Sequence, residues 1–109
     1  MNKLKMHIVI RPDISIETAI IAVSHTSLGT YLTFEKDEIM QNWKNNSFVK
    51  IIHKAINREQ FISCRNIGPH RVFTESTLDN LEVSVGFKPM IIDSYKFKDI
   101  PLWTSLTFE

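Results

Sequence analysis

The side chain best placed for chemistry is His25, set among small and apolar residues in Ile21-Ala22-Val23-Ser24-His25-Thr26-Ser27-Leu28-Gly29. An imidazole titrates near pH 6.5, so at such a position it can act as general base or acid. The plainer alternative is a histidine hydrogen-bonded to backbone. His7, His53 and His70 lie far apart in the chain, and no His-Glu-x-x-His or comparable metal spacing occurs. One cysteine, Cys64, excludes a mostly thiolate zinc centre and an internal disulfide, and reads as a small buried apolar residue. Three scattered glycines form neither a phosphate loop nor a dinucleotide fingerprint, so no nucleotide cofactor is expected through those motifs. A Gly-x-Ser-x-Gly elbow is also absent. Arg65, His70 and Arg71 are close enough in sequence to meet a phosphate.

The elements that must position these groups can be read from apolar spacing. Met6–Ile10 is β-branched and ends at Arg11-Pro12-Asp13, which predicts a strand covered on both faces. A helix follows over about 15–32, capped by Asp13 or Ser15, with Glu17 in its first turn. Ile16, Ala19, Ile20, Val23 and Tyr31 form its expected buried stripe. Ile21, Leu28 and Leu32 make a second apolar strip, beside Thr18, Ala22, His25 and Gly29. A helix so poor in charge is expected to be buried on more than one side. The small residues leave room for another backbone, or for a pocket with His25 in its wall.

A second helix is predicted over about 37–45, with Ile39, Met40 and Trp43 inward, then a strand over 47–53. Asn57-Arg58-Glu59-Gln60 has capping-box form and opens a short helix to about residue 65, with Phe61 and Ile62 inside. Two strands follow, 70–74 and 81–87, around the turn-rich segment 76–80. The alternation Leu81, Val83, Val85, Phe87 predicts one buried face for the last strand. Trp103 anchors the C-terminal end. This order predicts a three-layer α/β/α sandwich with a mixed sheet of about four strands.

The chain has 109 residues, 43% of them hydrophobic, and a net charge of +1. That is room for one domain, with apolar content enough for a core. Near-neutral charge argues against a strongly basic nucleic-acid binder. No stretch approaches the roughly 20 apolar residues of a membrane span, and no signal peptide is expected, so the reading is cytoplasmic. A small sandwich with spare apolar surface makes a homodimer plausible.

Two segments carry a family resemblance. The strand ending in Arg11-Pro12-Asp13, followed by His25-Thr26-Ser27-Leu28-Gly29 on the first helix, resembles the N-terminal half of class II peptidyl-tRNA hydrolases. In that family the helix carries Lys-x-x-x-Gln-x-x-His and then Ala-Ser-Leu-Gly. Trp43, the strand over 48–53 and Val72-Phe73-Thr74-Glu75-Ser76 follow in matching order, so the resemblance covers about residues 4–92. Of the helix triplet only His25 is kept: the lysine falls at Thr18 and the glutamine at Ala22. The family's aspartate falls near Glu75 and a following threonine near Leu81. A second resemblance, to domains of unknown function sharing the fold, rests on Asp93, Lys98 and Leu102-Trp103.

The resemblance implies two functional readings. In the first, the chain keeps the fold and binds a small-molecule ligand or partner beside His25, with Thr18, Ala22 and Arg71 around it, without the hydrolysis. In the second, it cleaves the peptide–tRNA ester. His25 then assists a water nucleophile, Glu75 orients it, and Arg71 replaces the missing lysine.

Overall fold

The computed structural model describes residues 3–91 and 96–103; Asp93 of the second resemblance lies outside them. Strand β1 (Lys5–Ile10) leads to helix α1 (Ile16–Thr33), α2 (Glu38–Asn45), β2 (Val49–Lys54) and α3 (Arg58–Ser63), which runs into a 3-10 turn. The hairpin of β3 (His70–Glu75) and β4 (Leu81–Phe87) follows. The sheet order is β2-β1-β4-β3, with β1 parallel to β2 and antiparallel to β4. The mixed four-stranded sandwich is thus as expected. No helix of the described residues is long and apolar enough to cross a membrane.

Strand β1 divides the core in two because successive side chains point to opposite faces. Met6, Ile8 and Ile10 meet Ala19, Met40 and Trp43 under α1 and α2. Val9, with Val85 and Phe87, meets Phe61, Cys64, Phe97 and Ile100 under α3 and the C-terminal segment. Trp103 closes the β2 edge through its N–H, which donates to Ile52 O at 2.9 Å. Burial pushes the Cys64 thiol up to about 11, consistent with a core residue and not a nucleophile.

The caps behave as local chemistry dictates. Ser15 Oγ accepts from the Thr18 N–H, Asp37 from the Ile39 N–H and Asn57 from the Gln60 N–H. Burial departs from periodicity at three places. On α1, Ile16 and Ile20 are exposed, and the buried face is Ala19, Ala22, Thr26 and Thr30. On the short helices, Ile39 and Ile62 also face outward. On β4, Ser84 and Gly86 are buried as well as the apolar set, so both faces are covered.

One close approach explains the first and third. A Cβ on Gly86 would fall far inside van der Waals contact with Thr30 Oγ1 and 2.8 Å from Thr26 Cγ2. The Ser84 hydroxyl bonds to Thr26 Oγ1, which itself donates to Ala22 O at 2.6 Å. Small residues let α1 lie directly on the sheet, and its larger apolar side chains are left outside. Ile20, Ile21, Leu28 and Leu32 are each about half exposed, so the expectation of burial on more than one side fails for them.

Candidate functional site

Thr18, Ala22, His25, Gly29 and Thr33 recur at three- and four-residue spacing and form one strip of α1. The strip faces β3, an edge strand of the sheet. Arg71, Phe73 and Glu75, two residues apart, project from the strand on that side. Phe73 fills the space beside Gly29, where an added Cβ would lie 2.7 Å from Phe73 Cζ. Arg71 Nη1 donates to Thr33 Oγ1 at 2.9 Å, and its guanidinium lies 4.8 Å from the Phe73 ring centroid.

His25 is exposed, at the middle of the strip and near Glu75. Hydrogen bonds from Thr77 Oγ1 at 2.8 Å and the Thr77 N–H at 3.2 Å hold the Glu75 carboxyl below its usual range. The charge of His25 adds to that effect. A carboxylate near an imidazole can help position a water beside it.

The remaining candidate residues are placed differently. Thr18 Oγ1 accepts from Ser15 Oγ at 2.9 Å, which ties it to the helix cap. Ala22 is buried. Arg71 sits at the Thr33 end, and Thr18 and Thr33 are fifteen residues apart, about 22 Å at the helical rise. Along the strand, Arg71 and Glu75 are separated by about 13 Å. Arg71 therefore does not stand where the missing lysine would. Arg65 lies on the opposite side of the sheet, paired with Glu82 at 2.8 Å, so it does not join Arg71 in a phosphate site. Leu81 is half-buried at the start of β4.

A groove of about 390 Å³ adjoins the strip around the helix from His25, a size typical of small-ligand sites. Ser24, Ser27, Leu28 and Tyr31 of α1 form one wall; Trp43, Lys44 and Phe48 form the other. Its wall is thus the neighbouring face of α1 and not His25 itself. Phe48 holds a left-handed backbone (φ 54°), uncommon for a bulky residue, and its N–H donates to Trp43 O at 2.8 Å. The strain leaves the ring 54% exposed at the groove mouth, stacked on Trp43 with centroids 4.9 Å apart. Lys50 Nζ lies 3.5 Å from the Phe48 centroid, and Lys44 Nζ lies 5.6 Å from that of Tyr31. Sequence reasoning missed this groove because Phe48 falls within the apolar run over 47–53 that reads as a strand. The available signal was the alternation of aromatic and basic residues over 43–50.

Together these features define an α/β sandwich whose candidate strip lies between its long helix and an edge strand, where His25 is near enough to Glu75 to act on its charge. The family model described as Peptidyl-tRNA hydrolase PTH2 matches residues 4–80, from before β1 to the turn preceding β4, and the chain belongs to that family. Among curated proteins, none matches the chain.

Proposed function

We propose that this chain is a divergent peptidyl-tRNA hydrolase family member that binds a ligand along the α1–β3 strip and has lost ester hydrolysis. The observation that carries this reading is the composition of the strip beside His25. Thr18 and Ala22 stand where the resemblance calls for a lysine and a glutamine, and Arg71 is held at the far end by Thr33. A transition state that develops negative charge then lacks the cation that would stabilise it. Removing one such preorganised donor costs about 10²–10³ in rate.

Incubation with a peptidyl-tRNA tests the proposal. The expected result is release of peptide no faster than in buffer. The Thr18→Lys variant should raise the rate, on the order of tenfold or more, by restoring a cation on the strip. Turnover by the natural chain that His25→Ala abolishes would instead establish the second reading. That reading is favoured by the His25–Glu75 pair: His25 would assist the water and Glu75 would orient it. A cytoplasmic location and a homodimer belong to the same proposal. Light scattering should give twice the 12.7 kDa of one chain; a single-chain mass would remove the dimer.

A further inference from the structure

We propose that the groove between α1 and α2 binds a small aromatic carboxylate, with its ring against Leu28, Tyr31 and Phe48 and its carboxylate held by Lys44 and Lys50. Three observations lead there.

The first is shape and apolar lining. The groove holds about 390 Å³, room for one small molecule. Leu28 and Phe48 are both more than half exposed, and Tyr31 and Trp43 continue the wall between them. The left-handed backbone at Phe48 keeps that ring at the mouth. Walls of this kind suit a flat ring system, which gains from offset or edge contact with them.

The second is charge of one sign. No carboxylate lines the groove among the described residues. Neither Lys44 nor Lys50 pairs with one there; the ion pairs are Arg11–Asp13, Arg65–Glu82 and Lys88–Asp37. Both ammonium groups lie over rings of the groove instead, Lys44 at Tyr31 and Lys50 at Trp43 and Phe48. An ammonium has three N–H donors, so each can keep its ring and still meet an anion. Burial holds Lys50 below its usual range, and an anion at this point would relieve a desolvated cation.

The third is a set of hydroxyls with protons to give. Thr26 and Thr33 donate back into α1, to Ala22 O and Gly29 O. Ser24 and Ser27, on the groove side, make no such bond among the described residues. Tyr31 Oη accepts from Gln41 Nε2 at 3.3 Å and has its own proton left to donate. A carboxylate only accepts, so it answers ammonium groups and hydroxyls alike. A phosphate is better served by a guanidinium or by clustered backbone N–H groups, and neither lines this groove among the described residues. An apolar peptide would leave both ammonium groups unanswered. A second copy placed face to face would set like charges together.

The groove is separate from the α1–β3 strip, so the inference does not depend on the reading of His25. Isothermal titration calorimetry of the intact chain with 2-naphthylacetate tests it, and amide shifts in nuclear magnetic resonance spectra locate the ligand. Binding should saturate at one molecule per chain, with shifts centred on Ser24, Ser27, Lys44 and Phe48. The neutral 2-naphthaleneethanol should bind more weakly, on the order of tenfold or more, because it gives the ammonium groups no charge to meet. Phe48→Ala and the pair Lys44→Gln/Lys50→Gln should each weaken 2-naphthylacetate to a similar degree, with circular dichroism confirming that each variant is folded. Arg58→Gln removes an exposed positive charge on α3 and should bind as the natural chain does.

Five results would overturn the proposal: no saturable binding at low salt, equal affinity for the alcohol, groove variants that bind as the natural chain does, tighter binding of 2-naphthyl phosphate, or shifts centred on His25 and Glu75. Ester turnover in the separate peptidyl-tRNA assay would sink the loss-of-hydrolysis reading and leave this one standing.

Discussion

Acidification from pH 7 to pH 3 is expected to remove on the order of 4 kcal/mol of stability through one buried pair, His7 and His53. The two rings project from neighbouring parallel strands to the same face, and His7 Nδ1 lies 2.8 Å from His53 Nε2. His53 Nδ1 lies 3.0 Å from Ile100 O, which can only accept. The proton is therefore on His53 Nδ1, its Nε2 is an acceptor, and His7 Nδ1–H donates to it. Adding a proton at His53 Nε2 would set two N–H groups against each other. Phe97 stacks on His7 at 4.0 Å and leaves little water to solvate a charge.

Burial first, then the charges of His53 and Lys5, pull His7 from 6.5 down to about 3. His53 is lowered as well, by burial against an opposing hydrogen bond to Ile100. The unfolded chain thus binds protons that the folded chain refuses. Stability is complete above pH 6.5 and falls as the pH drops from there toward 3. Asp37, held low by Lys88, and Glu75, held low by Thr77, lose their contributions only below their ordinary carboxylate range, so the first part of the decline belongs to the histidines. Urea denaturation across pH 8 to 3 measures it. A midpoint that stays level between pH 6.5 and 5 would refute the expectation. The double variant His7→Leu/His53→Leu should flatten that interval, since replacing both polar partners by apolar groups can be nearly neutral.

Gly86→Val is expected to cost roughly 3 kcal/mol, at the upper end for forcing bulk into a packed site. The valine would meet Thr30 and Thr26, both buried, and neither can swing into solvent. The helix must lift from β4, which also breaks the Ser84–Thr26 hydrogen bond. Gly86→Ala should cost less. Combined with Thr30→Ala, it should cost clearly less than the two single changes together, because the residues contend for the same space. Urea denaturation at neutral pH reads all four variants, Thr30→Ala included. Unchanged stability in Gly86→Val would mean that α1 does not lie this close to the sheet.

The same approach explains why the elements were legible in the sequence and their burial was not. Local rules found β1, the cap at Asn57, Ser15 as one of two candidate caps, and the span of β4, since these depend on neighbouring residues. Of the predicted stripe, Ala19 is buried and Val23 and Tyr31 pack against the core, but Ile16 and Ile20 do not, because periodicity ranks side chains by apolarity alone. Here closeness decides: Ala22, Thr26 and Thr30 allow helix and sheet to touch where isoleucines would hold them apart.

The candidate site divides in the same way. Sequence by itself determined the fold class and the family, through the His25-Thr26-Ser27-Leu28-Gly29 segment. Only the tertiary structure decided that Arg71 lies a full helix length from Thr18 and that Arg65 faces the other side of the sheet. It alone set Phe48 beside Trp43 and under the Lys50 ammonium. The physical reason is that side-chain type and spacing act over a few residues, whereas a site is made where distant segments come into contact. Those distances depend on how closely α1 settles on β4 and β3.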